Sequence, residues 1–204
     1  MRMSSGTASD TSPARIPQRQ RGRDRVASLV AAAAALFVEK GPDATTMTEI
    51  AARAGASIGS LYLFFPTKQA LVQAMVTELA DSLSARLDAL SNGTKGWKAA
   101  AIADALFAEL ADFLAAHPEY GVLIDQPGDE AWKAAIRARR REQIAALFQN
   151  AAPALPAAQA QRLALIVPQL MRFGIVLRDE AASSRAEVLD ELRAMLSHHL
   201  DRAK

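Results

Sequence analysis

A serine between two glycines is the feature of this sequence that most resembles a catalytic motif. The segment from Gly55 to Gly59 reads G-A-S-I-G, a G-x-S-x-G pattern that forms a nucleophile elbow in α/β-hydrolases. That elbow needs a strand-to-helix turn above a parallel sheet, whereas the residues before Gly55 have helical spacing. A serine hydrolase using Ser57 therefore stays an alternative interpretation that lacks its structural context.

The cysteine and histidine content does not favour other kinds of catalytic site or a metal site. The chain has no cysteine, which excludes disulfides, thiol catalysis and zinc fingers. Its three histidines, His117, His198 and His199, do not have the spacing of a metal site. We expect neither a metal nor a cofactor, and we do not expect an enzyme.

Two short helices joined by a tight turn are predicted around Ser57. Thr46 and Glu49 fit a capping box that begins the first helix. Gly55 is placed to end this helix and turn the chain, because glycine tolerates a positive φ. Ser57 is placed to cap the second helix, which is predicted to have an inward face of Ile58, Leu61 and Phe65. This layout is a helix-turn-helix.

Positive charge is concentrated in the same part of the chain. Residues 1–70 carry nine Lys/Arg and five Asp/Glu, a net charge of +4, whereas residues 71–204 have a net charge of −2. The densest part precedes the first predicted helix and comprises Arg15, Arg19, Arg21, Arg23 and Arg25. Such an arm would neutralise DNA phosphates and could enter the minor groove. A solvated, disordered tail is the alternative interpretation.

An apolar run, SLVAAAAALFV, follows these arginines. Its 11 residues are too few to span a bilayer, and Glu39-Lys40-Gly41 follows it in place of a cleavage site. An amphipathic helix ending at Gly41 explains the run, so we expect no membrane partner and a cytoplasmic protein.

The rest of the chain predicts helices separated by prolines and glycines. Alanine-rich and leucine-rich runs without sustained alternation favour an all-α fold. The predicted helices cover residues 68–90, 97–116, 119–125, 129–151, 157–180 and 184–202. Asp129 is placed to cap one of them, and Ser184 with Glu187 to form another capping box.

The residues around the helix-turn-helix resemble the TetR (tetracycline-repressor-like) family of one-component transcription regulators. The matching residues are Leu36-Phe37, Gly41, Thr45-Thr46, Ile50-Ala51, Ala54-Gly55, Ser57, Gly59, Leu61-Tyr62, Phe65-Pro66 and Lys68. Beyond about residue 75 the resemblance is one of length and helix pattern. It implies that the first three helices and the start of the fourth bind DNA. The remaining helices would bind a small molecule and a second copy of the chain.

The resemblance also implies particular DNA contacts. Thr46 is expected to donate to a phosphate, Tyr62 to reach a phosphate or a base edge, and Lys68 to add charge at the N-terminus of the fourth helix. Ile58 and Leu63 depart from the family's usual lysine and polar residue, and an aliphatic side chain offers base edges only apolar contact. The predicted DNA-binding residues are Arg23, Arg25, Thr46, Ser57, Gly59, Ser60, Tyr62, Leu63 and Lys68.

Apolar stripes on the last two predicted helices are candidates for a dimer interface. Intramolecular packing explains such stripes equally well, but the resemblance implies that these helices pair with their copies in a four-helix bundle. The predicted interface residues are Leu163, Ile166, Leu177, Leu189, Leu192 and Leu196. A two-fold dimer would place two recognition helices about one DNA turn apart, on a roughly palindromic site.

A ligand pocket is predicted from further apolar positions and one charge. The candidates are Leu106, Leu110, Phe113, Trp132, Ile136, Arg140, Leu170 and Phe173, although each apolar member also fits an ordinary core. Arg140 lies near the centre of an apolar stripe, where a charge must be paired or solvated. It could bind an acidic ligand, pair with Asp104 or Glu109, or extend to water. Pro168 is expected to kink or interrupt its helix.

These observations predict three segments. Residues 1–22 form a disordered basic arm, residues 23–67 a three-helix DNA-binding domain, and residues 68–204 a larger helical domain for ligand binding and dimerisation. The predicted function is that of a homodimeric repressor that a small-molecule effector releases from a palindromic site on double-stranded DNA. A dimeric DNA-binding protein that responds to no ligand is the alternative.

Overall fold

The computed structural model describes residues 20–202 apart from 125, 127 and 177–180, and it leaves out the side chains of 171–176, 182, 185 and 202. The predicted all-α fold is confirmed over these residues. The helices are α1 (Gln20–Ala44), α2 (Met47–Arg53), α3 (Ile58–Phe64), α4 (Lys68–Gly93), α5 (Ala99–Ala116), α6 (Pro118–Leu123), α7 (Glu130–Gln149), α8 (Ala157–Val176) and α9 (Ala182–Arg202).

The chain divides into two compact units. The N-terminal unit contains the described residues up to Glu78 together with Val122–Gly128, and the C-terminal unit contains Leu79–Gly121 and the described residues from Asp129 onward. Helix α4 therefore contributes to both units, and the predicted domain boundary at residue 68 stays a prediction. Most of the predicted arm lies outside the described residues, and α1 already begins at Gln20.

The core of the N-terminal unit begins with the apolar run of α1. Leu29, Ala33, Leu36 and Phe37 recur every three or four positions and are buried, as an amphipathic helix requires. Gly41 interrupts α1 with φ 82° and ψ 158°, a conformation that only glycine adopts readily. Helix α2 packs between α1 and α3.

The C-terminal unit is a set of longer helices around its own core. Helix α7 packs against α8, and α9 packs against α5 and α8. Their contact surfaces are apolar and buried, and they include Ile102, Leu106, Phe107, Phe113, Ile144, Leu147, Phe148, Leu163, Val167 and Leu200. Most of these residues recur at helical spacing, so the sequence stripes predict much of this core, although Ile166 of the same α8 stripe is exposed.

Two local predictions need correction in the C-terminal unit. Pro168 does not interrupt α8, which continues to Val176, so the predicted interruption was wrong and a kink at Pro168 stays a prediction. Helix α9 begins at Ala182, two residues before Ser184, so Ser184 is inside the helix and does not occupy the predicted N-cap position. Asp129 does cap α7 as predicted, because its carboxylate accepts from the backbone N–H groups of Ala131 and Trp132. No helix in the described part of the chain is both long enough and apolar enough to cross a bilayer.

Candidate nucleic-acid interface

The first helix of the predicted motif is held by a complete capping box. The backbone N–H of Glu49 donates to Thr46 Oγ1 at 3.3 Å, and Glu49 Oε2 accepts from the Thr46 backbone N–H at 2.8 Å. The Thr46 hydroxyl also donates to this carboxylate at 2.7 Å. Thr46 is exposed, but its backbone N–H and its hydroxyl both donate to Glu49.

The Glu49 carboxylate has a strongly perturbed acidity. Lys40 Nζ donates to Glu49 Oε1 at 2.5 Å, and together with the bonds from Thr46 it lowers the pKa of Glu49 to about 2. Arg53 makes a second ion pair, with both guanidinium nitrogens donating to Glu39 at 2.5 and 2.6 Å. The hydrogen bond from Arg53 lowers the pKa of Glu39. Both cations near α2 therefore already have carboxylate partners.

The turn at Gly55 and the helix that follows it form as predicted; this helix, α3, is the predicted recognition helix. Gly55 has φ 59°, and an added Cβ would meet nothing within 4 Å, so its backbone conformation is what requires a glycine. Ser57 Oγ accepts from the Ser60 backbone N–H at 3.2 Å and caps α3. A helix precedes this serine, so Ser57 does not lie on the strand-to-helix turn of a nucleophile elbow.

One face of α3 is open to solvent. Leu61 is fully buried and Phe65 is 3% exposed, whereas Tyr62 is 49% and Leu63 57% exposed. Ile58 is also 39% exposed, so its prediction as an inward residue was wrong. It lies at the first position of a 7-residue helix, where spacing alone does not fix the buried side. Gly59 is exposed and Ser60 half-buried on the same short helix.

The basic segment continues along the start of α1. Arg23 and Arg25 are exposed, and Arg25 Nη1 lies 3.4 Å from the carbonyl oxygen of Gly55 in the turn between α2 and α3. The structure thus brings Arg25 beside the turn that precedes the recognition helix. The predicted arginines at 15 and 19 lie outside the described residues.

Lys68 has partners that the sequence did not predict. Its ammonium donates to the carbonyl oxygens of Pro42 at 2.6 Å, Thr45 at 2.9 Å and Asp43 at 3.4 Å. An ammonium has three donor hydrogens, so these carbonyls occupy all of them. Sequence reasoning also missed Thr67, whose hydroxyl accepts from the Ala70 backbone N–H at 3.0 Å. A threonine just before the predicted start of a helix was the available indication.

The predicted pocket residues are divided between core and half-buried positions. Leu106, Leu110 and Phe113 are buried, and Trp132, Ile136, Arg140 and Leu170 are half-buried, while the side chain of Phe173 lies outside the described residues. Arg140 pairs with neither predicted carboxylate: Glu109 binds Arg86 at 2.8 Å and Asp104 lies 3.7 Å from Arg193. Its Nη1 instead lies 3.4 Å from the Tyr120 hydroxyl, a partner that sequence reasoning missed.

The predicted dimer residues also have different environments. Leu163 and Leu196 are buried within a single chain and offer little surface to a partner, whereas Ile166 is 45% exposed. Leu189 and Leu192 are half-buried, and Leu177 lies outside the described residues. Among the side chains described on α8 and α9, the large apolar ones that are exposed are Leu165, Ile166, Val188 and Met195.

Family models match both parts of the chain. Residues 29–75 match the model described as bacterial regulatory proteins of the tetR family. Residues 100–200 match the model of the tetracyclin repressor-like C-terminal domain. The first match covers the helix-turn-helix, most of α1 and the start of α4, and the second covers most of the C-terminal unit.

Individual relatives agree with these models. The HTH-type transcriptional repressor Rv3405c of Mycobacterium tuberculosis is 41% identical over 64 residues, which are 31% of this chain and 34% of that protein. The match thus spans about a third of that relative. A TetR transcriptional regulator from Legionella pneumophila superimposes with a TM-score of 0.67 at 17% identity, covering 83% of this chain and 95% of that one.

A second solved structure has the same fold. The FadR regulator of Bacillus subtilis, in complex with stearoyl-CoA, superimposes with a TM-score of 0.63 at 14% identity, covering 80% of this chain and 95% of that one. With a capped helix-turn-helix, an exposed recognition helix and family matches in both parts, the chain belongs to the TetR family of DNA-binding transcriptional regulators.

Proposed function

We propose that this chain is a homodimeric repressor that leaves a roughly palindromic operator when a small molecule binds its C-terminal unit. The proposal of a dimer rests on the exposed apolar surface of α8 and α9. Leu165, Ile166, Val188 and Met195 are between 39% and 61% exposed, which is unusual for side chains of this size on two helices that pack together. A second copy would remove them from water.

The exposed side of α3 supports the DNA-reading part of the proposal. Tyr62 and Leu63 project from it, and the Ser57 hydroxyl has accepted a capping bond but keeps its own hydrogen for a phosphate oxygen. Leu63 can contact a thymine methyl, and Tyr62 can donate to a phosphate or a base edge. Arg23 and Arg25 would add contacts that are independent of sequence.

The roles of Thr46 and Lys68 change in this proposal. The Thr46 hydroxyl donates to Glu49 and the Lys68 ammonium donates to three carbonyls, so each holds the fold of the N-terminal unit. We propose that they orient α2 and the start of α4, and that phosphates are bound by neighbouring groups such as Thr67 and the exposed arginines.

Relatives support the ligand and the direction of regulation. The mycobacterial relative is named a repressor, and FadR was solved with stearoyl-CoA. A small molecule changes DNA affinity only if it binds one conformation of the regulator better than another. A regulator that responds to no ligand is the second candidate, and screening for DNA release distinguishes the two.

Binding to DNA from upstream of the chain's own gene tests the proposal. The purified protein is titrated across a salt series with excess random DNA as competitor, and the number of chains per site is measured by sedimentation. We expect tight, competitor-resistant binding of an even number of chains. A Leu63→Ala variant should still assemble but discriminate less between sites. Binding of single chains, or binding that random DNA removes, contradicts the proposal.

A further inference from the structure

Among the side chains that the structure describes in the C-terminal unit, Arg140 is the half-buried arginine without a carboxylate partner. Four other arginines of the unit lie within 4 Å of a carboxylate, and the described ones without such a partner, Arg141 and Arg162, are exposed: the pairs are Arg86 with Glu109, Arg137 with Glu130, Arg139 with Asp81, and Arg193 with Asp104. Among the described residues, no carboxylate lies within ion-pair distance of Arg140. Its single hydrogen bond there is to the neutral Tyr120 hydroxyl, and the 3.4 Å separation makes that bond weak.

The Tyr120 hydroxyl has a hydrogen that it can donate to a ligand. It is 4% exposed, and its ring packs edge-on against Phe113 with centroids 5.4 Å apart. The hydroxyl oxygen accepts from Arg140, and no described residue accepts the hydroxyl hydrogen. Burial raises the pKa of Tyr120, which keeps this hydrogen in place at neutral pH. A buried hydroxyl without an acceptor costs free energy until an acceptor arrives.

We propose that Arg140 and Tyr120 together bind the carboxylate of an organic acid with an apolar body, and that such an acid is the effector. This inference rests on the proposed ligand response. A carboxylate accepts two parallel N–H bonds from a guanidinium and a third bond from the tyrosine hydroxyl. The three groups then satisfy one another in surroundings where an unpaired charge is costly.

The residues around Arg140 favour a ligand that carries one negative charge and is otherwise apolar. Arg86 is occupied by Glu109 and lies over the Phe113 ring at 5.8 Å, so it is not free to neutralise a second charge such as that of a phosphate dianion. Arg140 lies on α7 between half-buried Ile136 and fully buried Ile144, one turn away on either side. A monocarboxylate with an alkyl or aryl body matches these neighbours.

Calorimetric titration of the full-length protein with matched acids and amides tests the inference. The probes are decanoate and 3-phenylpropionate, each paired with its primary amide, which has nearly the same shape but no charge. We expect the preferred acid to bind at least roughly tenfold more tightly than its amide, because bonds to charged groups are the stronger ones. Arg140→Gln should remove this preference, and Tyr120→Phe should weaken binding of the acid several-fold.

Two further variants keep the result interpretable. Arg141→Gln removes the adjacent, exposed arginine and should leave acid binding unchanged, which controls for general loss of positive charge. Arg140→Lys keeps the charge without the planar fork and should bind the acid with intermediate affinity. Equal affinity for acid and amide, an acid preference that survives Arg140→Gln, or no binding of either acid at millimolar concentration would overturn the inference.

Measuring whether acids and amides release operator DNA shows whether the carboxylate site or the proposed ligand response is wrong. If amides bind as tightly as acids and release the DNA, ligand response stands and the carboxylate site is wrong. If acids bind with the expected preference but never release the DNA, the carboxylate site stands and regulation by it is wrong.

Discussion

Both units expose large apolar side chains, but on surfaces of different kinds. In the N-terminal unit, Ile58, Tyr62 and Leu63 lie on a 7-residue helix beside exposed Gly59 and half-buried Ser60. In the C-terminal unit, the exposed residues lie on two packed helices of 20 and 21 residues. A DNA groove admits one short helix, whereas a stable dimer needs roughly 800 Å² from each partner. The extent of the surface therefore distinguishes a DNA-reading face from an assembly face.

The two units also hold these surfaces in place differently. In the N-terminal unit the caps that begin α2 and α3 link residues three positions apart, Thr46 with Glu49 and Ser57 with Ser60, and Lys68 adds distant bonds to carbonyls 23 and 26 positions away. The C-terminal unit uses contacts between distant segments: Gln143 with Ser84 across 59 positions, and Ser197 with Asp104 across 93. Two kinds of substitution test this comparison. Some should change dimer assembly without changing DNA discrimination, or the reverse, and others compare the stability lost with a local cap and with a distant contact.

The largest expected effect comes from charging the exposed surface of α8 and α9. The double variant Ile166→Glu, Met195→Glu should remain folded, because both side chains are exposed in the single chain. It should be monomeric and bind operator DNA at least about 100-fold more weakly, because two linked half-site contacts become independent. Sedimentation and DNA titration measure the two effects.

Leu63→Ala is the matched substitution on the other exposed surface. It should leave assembly intact and change discrimination between DNA sites. If the double variant still sediments as a dimer, α8 and α9 do not form the interface and the comparison between the two surfaces fails.

Replacing Lys68 should have the next largest effect. Lys68→Met removes three bonds from a half-buried ammonium to backbone carbonyls and should lower the free energy of unfolding by about 1.5 kcal/mol. Because no phosphate contact is lost, the slope of log DNA affinity against log salt concentration should stay the same. Loss of a phosphate contact would reduce that slope by about 0.9. Arg25→Ala should show such a reduction and serves as the control.

Removing a local cap should cost less. Thr46→Ala deletes the cap of α2 and should lower the free energy of unfolding by about 1 kcal/mol, measured by urea denaturation. Arg139→Ala breaks a distant ion pair whose two side chains are about 60% exposed, and it should cost less than about 0.5 kcal/mol. A larger cost for Arg139→Ala than for Thr46→Ala would reverse the comparison.

The smallest expected effect is a pH dependence at Glu49. Its pKa falls to about 2 in the folded chain from an ordinary value of 4.5, so its contribution to stability is complete above about pH 4.5. That contribution is lost as the pH falls toward 2. The difference in unfolding free energy between the wild type and Glu49→Gln should therefore shrink from pH 5 to pH 3. Because Glu49 is exposed, added salt should reduce the difference. A difference that does not vary with pH would contradict this assignment.

Features that depend on neighbouring residues could be predicted from the amino-acid sequence alone. The capping box at Thr46, the turn at Gly55 and the cap at Ser57 depend on residues a few positions apart, and all three formed as predicted. Gly41 interrupts α1 as a glycine can, but the helix continues to Ala44 and does not end at Gly41. The family resemblance was confirmed for the same reason, because its motif lies in this short segment.

Contacts between distant residues could not be predicted from the sequence, because they depend on how the helices pack. An apolar stripe shows that a helix face is covered but not whether its own chain or a second copy covers it, so Leu163 proved to be buried while neighbouring Ile166 is exposed. The partners of Lys68 and Arg140 lie on other segments 20 or more positions away. Long cationic side chains can reach several such segments, and the packing of the helices selects among them.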